Sequence, residues 1–232
     1  VLDNTIYHIG ADAVAGSHTM NASYPLEYYF IGRNILYRND ENGIDLKGAG
    51  HVVISENTIH GPWTDAPGEA IILHYGAASL GVHDVAVLFN KIYDSATGIG
   101  VTKGSDIDII GNEIYNIKHD VGKYVLTGSG NWNPDSPYAS GAAINIRGFS
   151  GTSRIVDNYI HHYDMGIVSP NNGGTFIIQG NRFENRENAE GWEIFFPGKA
   201  TVHADYNIFK PSMNDVRVGW RSKKVGGLSS LK

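Results

Sequence analysis

The chain has 232 residues, of which 41% are hydrophobic and 18% are charged, and its formal net charge is −6. This balance is typical of a folded globular protein and excludes a disordered chain or a coiled coil. The absence of cysteine excludes thiol catalysis, disulfide bonds and cysteine-bound zinc. No apolar run approaches the roughly 18 residues that a membrane-spanning helix needs. The mild acidity argues against a nucleic-acid-binding protein.

A repeated tripeptide, asparagine followed two positions later by a large apolar residue, organises most of the chain. It begins at Asn4, Asn34, Asn57, Asn90, Asn112, Asn158, Asn181 and Asn207. The shortest spacings between these asparagines are 22 and 23 residues, and we interpret the longer ones as a period lengthened by an insertion. A fixed period of this length indicates a repeat architecture. The leucine-rich repeat has a similar period, but its leucine-rich consensus is missing.

Each period contains three short β-prone runs separated by Gly, Asn, Asp or Ser. One run precedes the asparagine, as at 51–54, 85–88, 107–110 and 175–178. The asparagine tripeptide is the second. The third starts with a glycine, as at 43–46, 68–73, 98–101, 166–168 and 191–194. The apolar runs are too short for helices and are interrupted by glycine, so the sequence predicts an all-β repeat.

The asparagine tripeptide is followed in successive periods by a run that starts with glycine. Because of this order, residues 4–210 resemble the right-handed parallel β-helix repeat proteins, the superfamily of the pectate lyases. The resemblance implies a solenoid of about eight rungs, in which the asparagines point inward at a bend and stack as a ladder. We expect residues 1–232 to form one such domain, cut from a longer chain, with a C-terminal tail at 221–232. Because no capping helix fits before residue 4, end-to-end self-association or flanking domains are expected.

Insertions between the rungs of solenoids commonly build binding sites. The longest insertion is predicted over residues 113–140, and it is rich in Trp, Tyr, Asn and Asp. These residue types stack on sugar rings and form hydrogen bonds with sugar hydroxyls. The candidate site residues that it supplies are His119, Asp120, Lys123, Tyr124, Trp132 and Tyr138.

Alternation along the glycine-initiated runs predicts which side chains face outward. If Ile44 and Leu46 point inward, Asp45 and Lys47 point outward. The same alternation on the next three runs predicts an exterior column on successive rungs. The column consists of Lys47, His74, Thr102 and Arg147, with Asp45 and Asn145 one step behind and Lys103 at its edge. A slip of one residue would turn any of them inward.

A basic strip on an acidic chain suits an acidic polysaccharide, and lyases of the resembling superfamily bind uronate polymers on such a face. There a cation neutralises the uronate carboxylate, which acidifies the adjacent proton and permits its removal by a base. The resemblance implies Lys47 or Arg147 as the base, and His74, His119 or Tyr124 as the donor of a proton to the leaving oxygen. The substrate-binding candidates are Asp45, Thr102, Lys103, Asn145, Asp120, Lys123, Trp132 and Tyr138.

Two other functions remain open. A glycoside hydrolase needs two carboxylates flanking the scissile bond, and the candidates are Asp45, Glu69, Asp120 and Glu193. A non-catalytic module for adhesion, filament building or glycan binding needs neither the basic strip nor the carboxylate pair. The signature motifs of the polygalacturonases, of the common pectate lyases and of the mannuronan epimerases are absent.

The remaining expectations concern metals and cellular location. A catalytic Ca²⁺ needs several oxygen ligands, for which Asp40 and Glu41 beside Asp45 are the candidates. His60 and His161 follow the asparagine tripeptide where other periods have tyrosine, which indicates repeat positions rather than a metal cluster. We expect a polysaccharide partner, no nucleic acid, no membrane insertion, and a mature bacterial chain that is secreted or displayed at the cell surface.

Overall fold

The computed structural model describes residues 1–17, 26–61, 68–76, 80–118, 141–169, 173–185, 192–211, 217–220 and 223–226. Within these ranges the chain forms three β-sheets, and in each coil it passes from sheet 1 to sheet 2 to sheet 3. The same ranges contain no helix that is long and apolar enough to cross a membrane.

Each sheet takes one strand from each successive coil, and neighbouring strands run parallel. The exception is the last strand of sheet 3, which is antiparallel to its neighbour. Sheet 1 consists of β3 (Leu26–Gly32), β6 (Ala49–Ser55), β9 (Val82–Leu88), β12 (Gly104–Ile110), β15 (Thr152–Val156), β18 (Thr175–Gln179) and β21 (Thr201–Asp205). Sheet 2 consists of β1 (Thr5–Tyr7), β4 (Ile35–Tyr37), β7 (Thr58–His60), β10 (Lys91–Ser95), β13 (Glu113–Ile117), β16 (Tyr159–Tyr163), β19 (Arg182–Asn185) and β22 (Ile208–Pro211). Sheet 3 consists of β2 (Val14–Ser17), β5 (Ile44–Lys47), β8 (Glu69–His74), β11 (Thr97–Val101), β14 (Ala142–Ile146), β17 (Met165–Val168), β20 (Ile194–Phe196), β23 (Arg217–Trp220) and β24 (Lys223–Gly226).

This arrangement confirms the predicted parallel β-helix. In the described residues the three sheets have seven, eight and nine strands, close to the predicted eight rungs. Alternate side chains of every sheet point into one shared apolar core, which includes Ile31, Leu36 and Leu46 from one coil. Because a single turn of the chain cannot cover its own apolar face, the stacking of coils is what buries it.

The corner between sheet 1 and sheet 2 has the same construction in every coil. The residue before each repeat asparagine has a positive φ, from 53° at Arg33 to 67° at Gly111. The asparagine then satisfies the backbone groups that this bend leaves without partners. Asn112, for example, accepts the backbone N–H of Asn90 at 2.9 Å and donates to the carbonyl of Val87 at 2.9 Å. The predicted inward ladder of asparagines is therefore present.

Two predicted segments differ from the structure at their boundaries. The insertion predicted over 113–140 begins later, because Ile114 and Ile117 are fully buried and make Glu113–Ile117 a regular strand of sheet 2. Residues 119–140 lie outside the described residues. The predicted tail at 221–232 contains β24, which folds back and pairs antiparallel with β23.

An aromatic column runs along the outer side of sheet 2. Its rings are stacked nearly parallel, with centroids 4.6–5.3 Å apart, and belong to Tyr7, Tyr37, His60, Tyr93, Tyr115 and His161. The parallel register places each ring directly over the ring of the preceding coil. His60 and His161 are therefore repeat positions, as the sequence indicates.

Candidate functional site

The outer face of sheet 3 brings the predicted column together. Lys47 on β5 is in register with His74 on β8. The next two positions follow from backbone hydrogen bonds: Thr102 N–H donates to Leu73, and Arg147 N–H donates to Val101. Lys47, His74, Thr102 and Arg147 thus lie on four successive coils, in the predicted order.

Asp45 connects the first two members of the column. Its Oδ2 is 2.5 Å from Nζ of Lys47, and its Oδ1 is 2.6 Å from Nε2 of His74. Although Asp45 points away from the core, it is only 2% exposed. A carboxylate buried to this extent needs charged or hydrogen-bonding partners, which the two side chains provide.

These contacts fix the charges of Asp45 and Lys47. Burial works against ionisation of Asp45, but the hydrogen bonds from His74 and Lys47 outweigh it and lower the pKa of this carboxyl. The same hydrogen bond from Lys47 to Asp45 raises the pKa of the Lys47 ammonium. At neutral pH the pair is therefore a carboxylate and an ammonium, and Lys47 is poorly suited to act as a base.

Glu69, at the start of β8, brings its carboxyl group to the same outer face, beside Gly100 and Arg147. Burial raises its pKa to about 7, although the charges of Arg147 and His74 act in the opposite direction. Its Oε1 is 3.9 Å from the guanidinium of Arg147, and its buried Oε2 has no hydrogen-bond partner among the described residues. A Cβ at Gly100 would stand 2.2 Å from Oε2, so the glycine makes room for the carboxyl.

The two carboxyl groups of the cluster are therefore in different protonation states near neutral pH. Asp45 is ionised, while Glu69 is close to half-protonated. Environments that push two neighbouring pKa values apart are typical of sites that carry out acid–base chemistry. We define the outer-face cluster as Asp45, Lys47, Glu69, His74 and Arg147.

The other predicted binding residues on this face have different surroundings. Asn145 is fully buried in β14, in register with Gly100. The Oγ1 of Thr102 is buried and has no hydrogen-bond partner within the described ranges. Lys103 is exposed in the turn that follows β11. Asn145 and Thr102 thus border the cluster, whereas Lys103 extends into solvent.

The site residues predicted in the long insertion lie outside the described residues. They are His119, Asp120, Lys123, Tyr124, Trp132 and Tyr138, all within 119–140. Their roles stay predictions.

The oxygen ligands proposed for calcium have separate surroundings. Both oxygens of Asp45 already accept hydrogen bonds, whereas Asp40 and Glu41 are exposed in the turn before β5. Among the described side chains, these three do not form a group with ligand atoms close enough to share an ion. A calcium ion bound by Asp45 would therefore share its oxygens with Lys47 and His74.

Of the carboxylates considered for hydrolysis, the structure brings two together and separates a third. Asp45 and Glu69 belong to the outer-face cluster, where the charge of Asp45 acts on the Glu69 carboxyl. Glu193 lies instead near Tyr163, which packs in the core. Burial raises the pKa of Tyr163, and the nearby charge of Glu193 raises it further. Asp120 is outside the described residues.

An apolar surface continues the same face beyond Arg147. Ala142, Met165 and Val168 form a buried cluster separate from the main core, and Trp192 and Phe195 pack against it. The two aromatic rings lie 4.9 Å apart and are partly exposed. This face of sheet 3 therefore changes from charged to aromatic along the coil axis.

Glu69 is the candidate site residue whose importance sequence reasoning missed. It appears there only as one of several hydrolase candidates. The available signal was Gly100, because the corresponding positions of neighbouring strands carry Ile72 and Asn145. An outward glycine in the middle of a strand indicates that another group approaches closely.

Replacing Glu69 by glutamine is expected to change how stability depends on pH. Because the pKa of this carboxyl is about 7 in the folded chain and 4.5 ordinarily, the folded chain binds the proton more tightly than the unfolded chain does. The resulting stabilisation is complete below pH 4.5 and is lost as the pH rises through 7. From pH 4 to pH 8, the wild-type free energy of unfolding should fall by about 3 kcal/mol more than that of Glu69→Gln.

Denaturant unfolding at the two pH values measures this difference. Glu56→Gln, at an exposed position of the corner before Asn57, is the matched control and should follow the wild type. Parallel pH profiles for wild type and Glu69→Gln would show that the Glu69 carboxyl is not perturbed.

Comparison with known proteins gave a match to one family. The family model described as a right-handed beta helix region matches residues 1–183. No curated protein and no solved structure matches the chain.

Proposed function

Because the chain belongs to the right-handed β-helix family, a fold on which many activities occur, we propose its function from the outer-face cluster. We infer that the protein cleaves an acidic, uronate-containing polysaccharide by β-elimination. The observation that supports this most directly is the hydrogen bond between His74 and the ionised Asp45, set between the cations Lys47 and Arg147.

Lys47 and Arg147 supply the positive charge that a uronate needs. A cation beside the carboxylate stabilises the carbanion-like charge that develops when the C5 proton leaves. Arg147 adds a planar guanidinium that can hold a carboxylate with two hydrogen bonds. In this proposal Lys47 and Arg147, rather than a calcium ion, neutralise the uronate carboxylate.

His74 is the base in this proposal, rather than Lys47 or Arg147. The Lys47 ammonium is stabilised by Asp45, and a guanidinium does not lose its proton at neutral pH. His74 donates from Nε2 to Asp45, which leaves Nδ1 as the acceptor. A histidine oriented by a carboxylate is an effective general base.

The elimination then proceeds with its atoms balanced. Nδ1 of His74 takes the C5 proton, the C5–H electron pair forms the C4–C5 double bond, and the C4–O4 bond breaks. Glu69, which is partly protonated near neutral pH, donates its proton to the leaving O4. The products are an unsaturated uronate and a shortened chain.

The aromatic part of the face supports a polymeric substrate. Trp192 and Phe195 provide partly exposed rings two coils beyond Arg147, and such rings can pack against the apolar side of a sugar. A substrate that spans several coils is a polysaccharide rather than a monosaccharide. Secretion or display at the cell surface follows from such a substrate and forms part of the proposal.

Glycoside hydrolysis is the second candidate. It is favoured by the opposite pKa displacements of Asp45 and Glu69, because a hydrolase needs one ionised and one protonated carboxyl. In that reaction Glu69 would again be the acid, while Asp45 would act as nucleophile or as base toward water. The engagement of both Asp45 oxygens by Lys47 and His74 makes this second role harder to fill.

Incubation with a panel of polyuronates, with and without calcium, separates the candidates. Elimination should produce the ultraviolet absorbance of the unsaturated uronate together with new reducing ends. New reducing ends without that absorbance would establish hydrolysis in its place. If neither signal appears, while the chain still binds the polymers, the enzymatic proposals are wrong and the face is a glycan-binding surface.

A further inference from the structure

We propose that Glu27, His51 and His83 form a binding site for a divalent transition metal, with Zn²⁺ as the best chemical match. One ligand atom from each residue lies within 4.8 Å of those of the other two. The three residues belong to β3, β6 and β9 of sheet 1, so this site is separate from the cluster on sheet 3.

The strand register explains why the side chains of Glu27 and His83 converge. Gly50 on β6 pairs with Glu27 on one side and with His83 on the other. Residues two strands apart are normally separated by the side chain of the strand between them. Gly50 has none, and a Cβ there would stand only 2.3 Å from Nε2 of His83. The His83 imidazole therefore occupies the space above Gly50, on the side of Glu27.

His51 is brought to the same place by its backbone conformation. Its φ is 52°, and Tyr28 and Asp84 have the same left-handed conformation in the adjacent coils. The His51 ring lies edge to face with the His83 ring, with centroids 5.5 Å apart. The site is thus built from two consecutive residues in each of three coils: 27–28, 50–51 and 83–84.

Two further contacts orient the His51 ring. Its Nδ1 is 2.7 Å from Oδ2 of Asp84, and the Tyr28 ring stacks on it at 4.9 Å. When Nδ1 donates to the carboxylate, Nε2 keeps the lone pair that a metal requires. A carboxylate behind a histidine ligand is the usual outer partner in metal sites, where it fixes the tautomer and orientation of the ring.

The donor set favours zinc over calcium or magnesium. Two imidazole nitrogens and one carboxylate oxygen are typical zinc ligands, whereas calcium and magnesium prefer oxygen alone. Tetrahedral coordination needs ligand atoms about 3.4 Å apart, so the side chains must approach one another on binding. Partial exposure of all three residues leaves room for that movement. Water would complete the coordination, as at sites with three protein ligands.

A metal at this position would connect three successive coils. Because the unfolded chain does not hold the three ligands together, binding stabilises the folded state. At a hundredfold excess of Zn²⁺ over the Kd, the melting temperature should rise by about 5–10 °C.

The test is calorimetric titration of the chain with Zn²⁺, together with thermal unfolding in its presence. We expect the wild type to bind one ion per chain through these residues. His51→Ala and His83→Ala should each bind at least tenfold more weakly and should lose the thermal shift. Asp84→Asn removes the orienting carboxylate but no ligand, and it should weaken binding by about 10–100-fold. Gly50→Ala should displace the His83 ring and weaken binding while all three ligand residues remain.

His203→Ala is the matched control, since His203 is an exposed histidine of the same sheet on β21. Its affinity for Zn²⁺ should equal that of the wild type. Circular dichroism without metal shows whether each variant is folded. If a histidine variant does not fold, Gly50→Ala and Asp84→Asn still test the site. Equal affinities in the wild type, His51→Ala, His83→Ala and His203→Ala would disprove the site.

Discussion

Replacing His74 by alanine is expected to lower kcat for β-elimination by about 10²–10⁴-fold, the usual contribution of a positioned general base. The side chain is partly exposed on the outer face, outside the apolar core. The free energy of unfolding should therefore change much less than the activity. The measurement is the initial rate of unsaturated product at saturating polyuronate.

Lys47→Arg distinguishes His74 from Lys47 as the base. Arginine keeps the positive charge that neutralises the uronate and holds Asp45, but it cannot accept a proton at neutral pH. The proposal therefore expects less than a tenfold loss of kcat for Lys47→Arg. A loss as large as that of His74→Ala would assign the base to Lys47, one of the two bases that the sequence resemblance implies.

Asp45→Asn tests whether the carboxylate acts through His74. The variant keeps the shape of the side chain but loses the charge that orients and stabilises the protonated imidazole. Residues that act as one unit have strongly non-additive effects. The double variant Asp45→Asn/His74→Ala should therefore be no slower than His74→Ala alone, and independent, multiplying losses would count against a shared role. His203→Ala, an exposed histidine on sheet 1, should retain full activity.

The fold was predictable because one residue type marks every coil. Asn34, Asn57 and Asn90 occupy the same corner, and the residue before each has the positive φ that such a bend requires. Alternation then predicts the outward direction of Lys47 and His74 from the burial of Leu46 and Leu73. Both inferences depend on local periodicity, which a single sequence contains.

The parts of the sites that were missed depend on contacts between coils. Glu69 is important because Gly100, 31 positions later, leaves space for its carboxyl. Glu27 and His83 meet because Gly50 lies between them in the register. The insertions make the spacing between coils unequal, so the register that aligns these residues cannot be derived from the period alone. In both places the sequence signal is an outward-facing glycine within a strand.

Asn112→Ala is expected to destabilise the fold more than any surface substitution. The side chain accepts hydrogen bonds from the backbone and side-chain amides of Asn90. It donates to the carbonyls of Val87 and Ile110 and to Oδ1 of Asn158. Alanine would leave these buried groups without partners at a corner whose Gly111 already has a φ of 67°. Since each unsatisfied buried group costs about 1–3 kcal/mol, the free energy of unfolding should fall by about 3–5 kcal/mol.

Denaturant unfolding of a variant at the end of the ladder and of one in its middle provides the comparison. Asn4 has the same place in the repeat but is exposed, and among the described residues its amide donates to Leu2 and Asn34. Because water can replace these partners, Asn4→Ala should cost about 1 kcal/mol or less. Asn112→Asp keeps an acceptor but removes the donor, so at neutral pH it should be at least as destabilising as alanine. A stable Asn112→Asp would show that the donated hydrogen bonds contribute little, and that the ladder acts mainly by accepting the backbone N–H of the neighbouring coil.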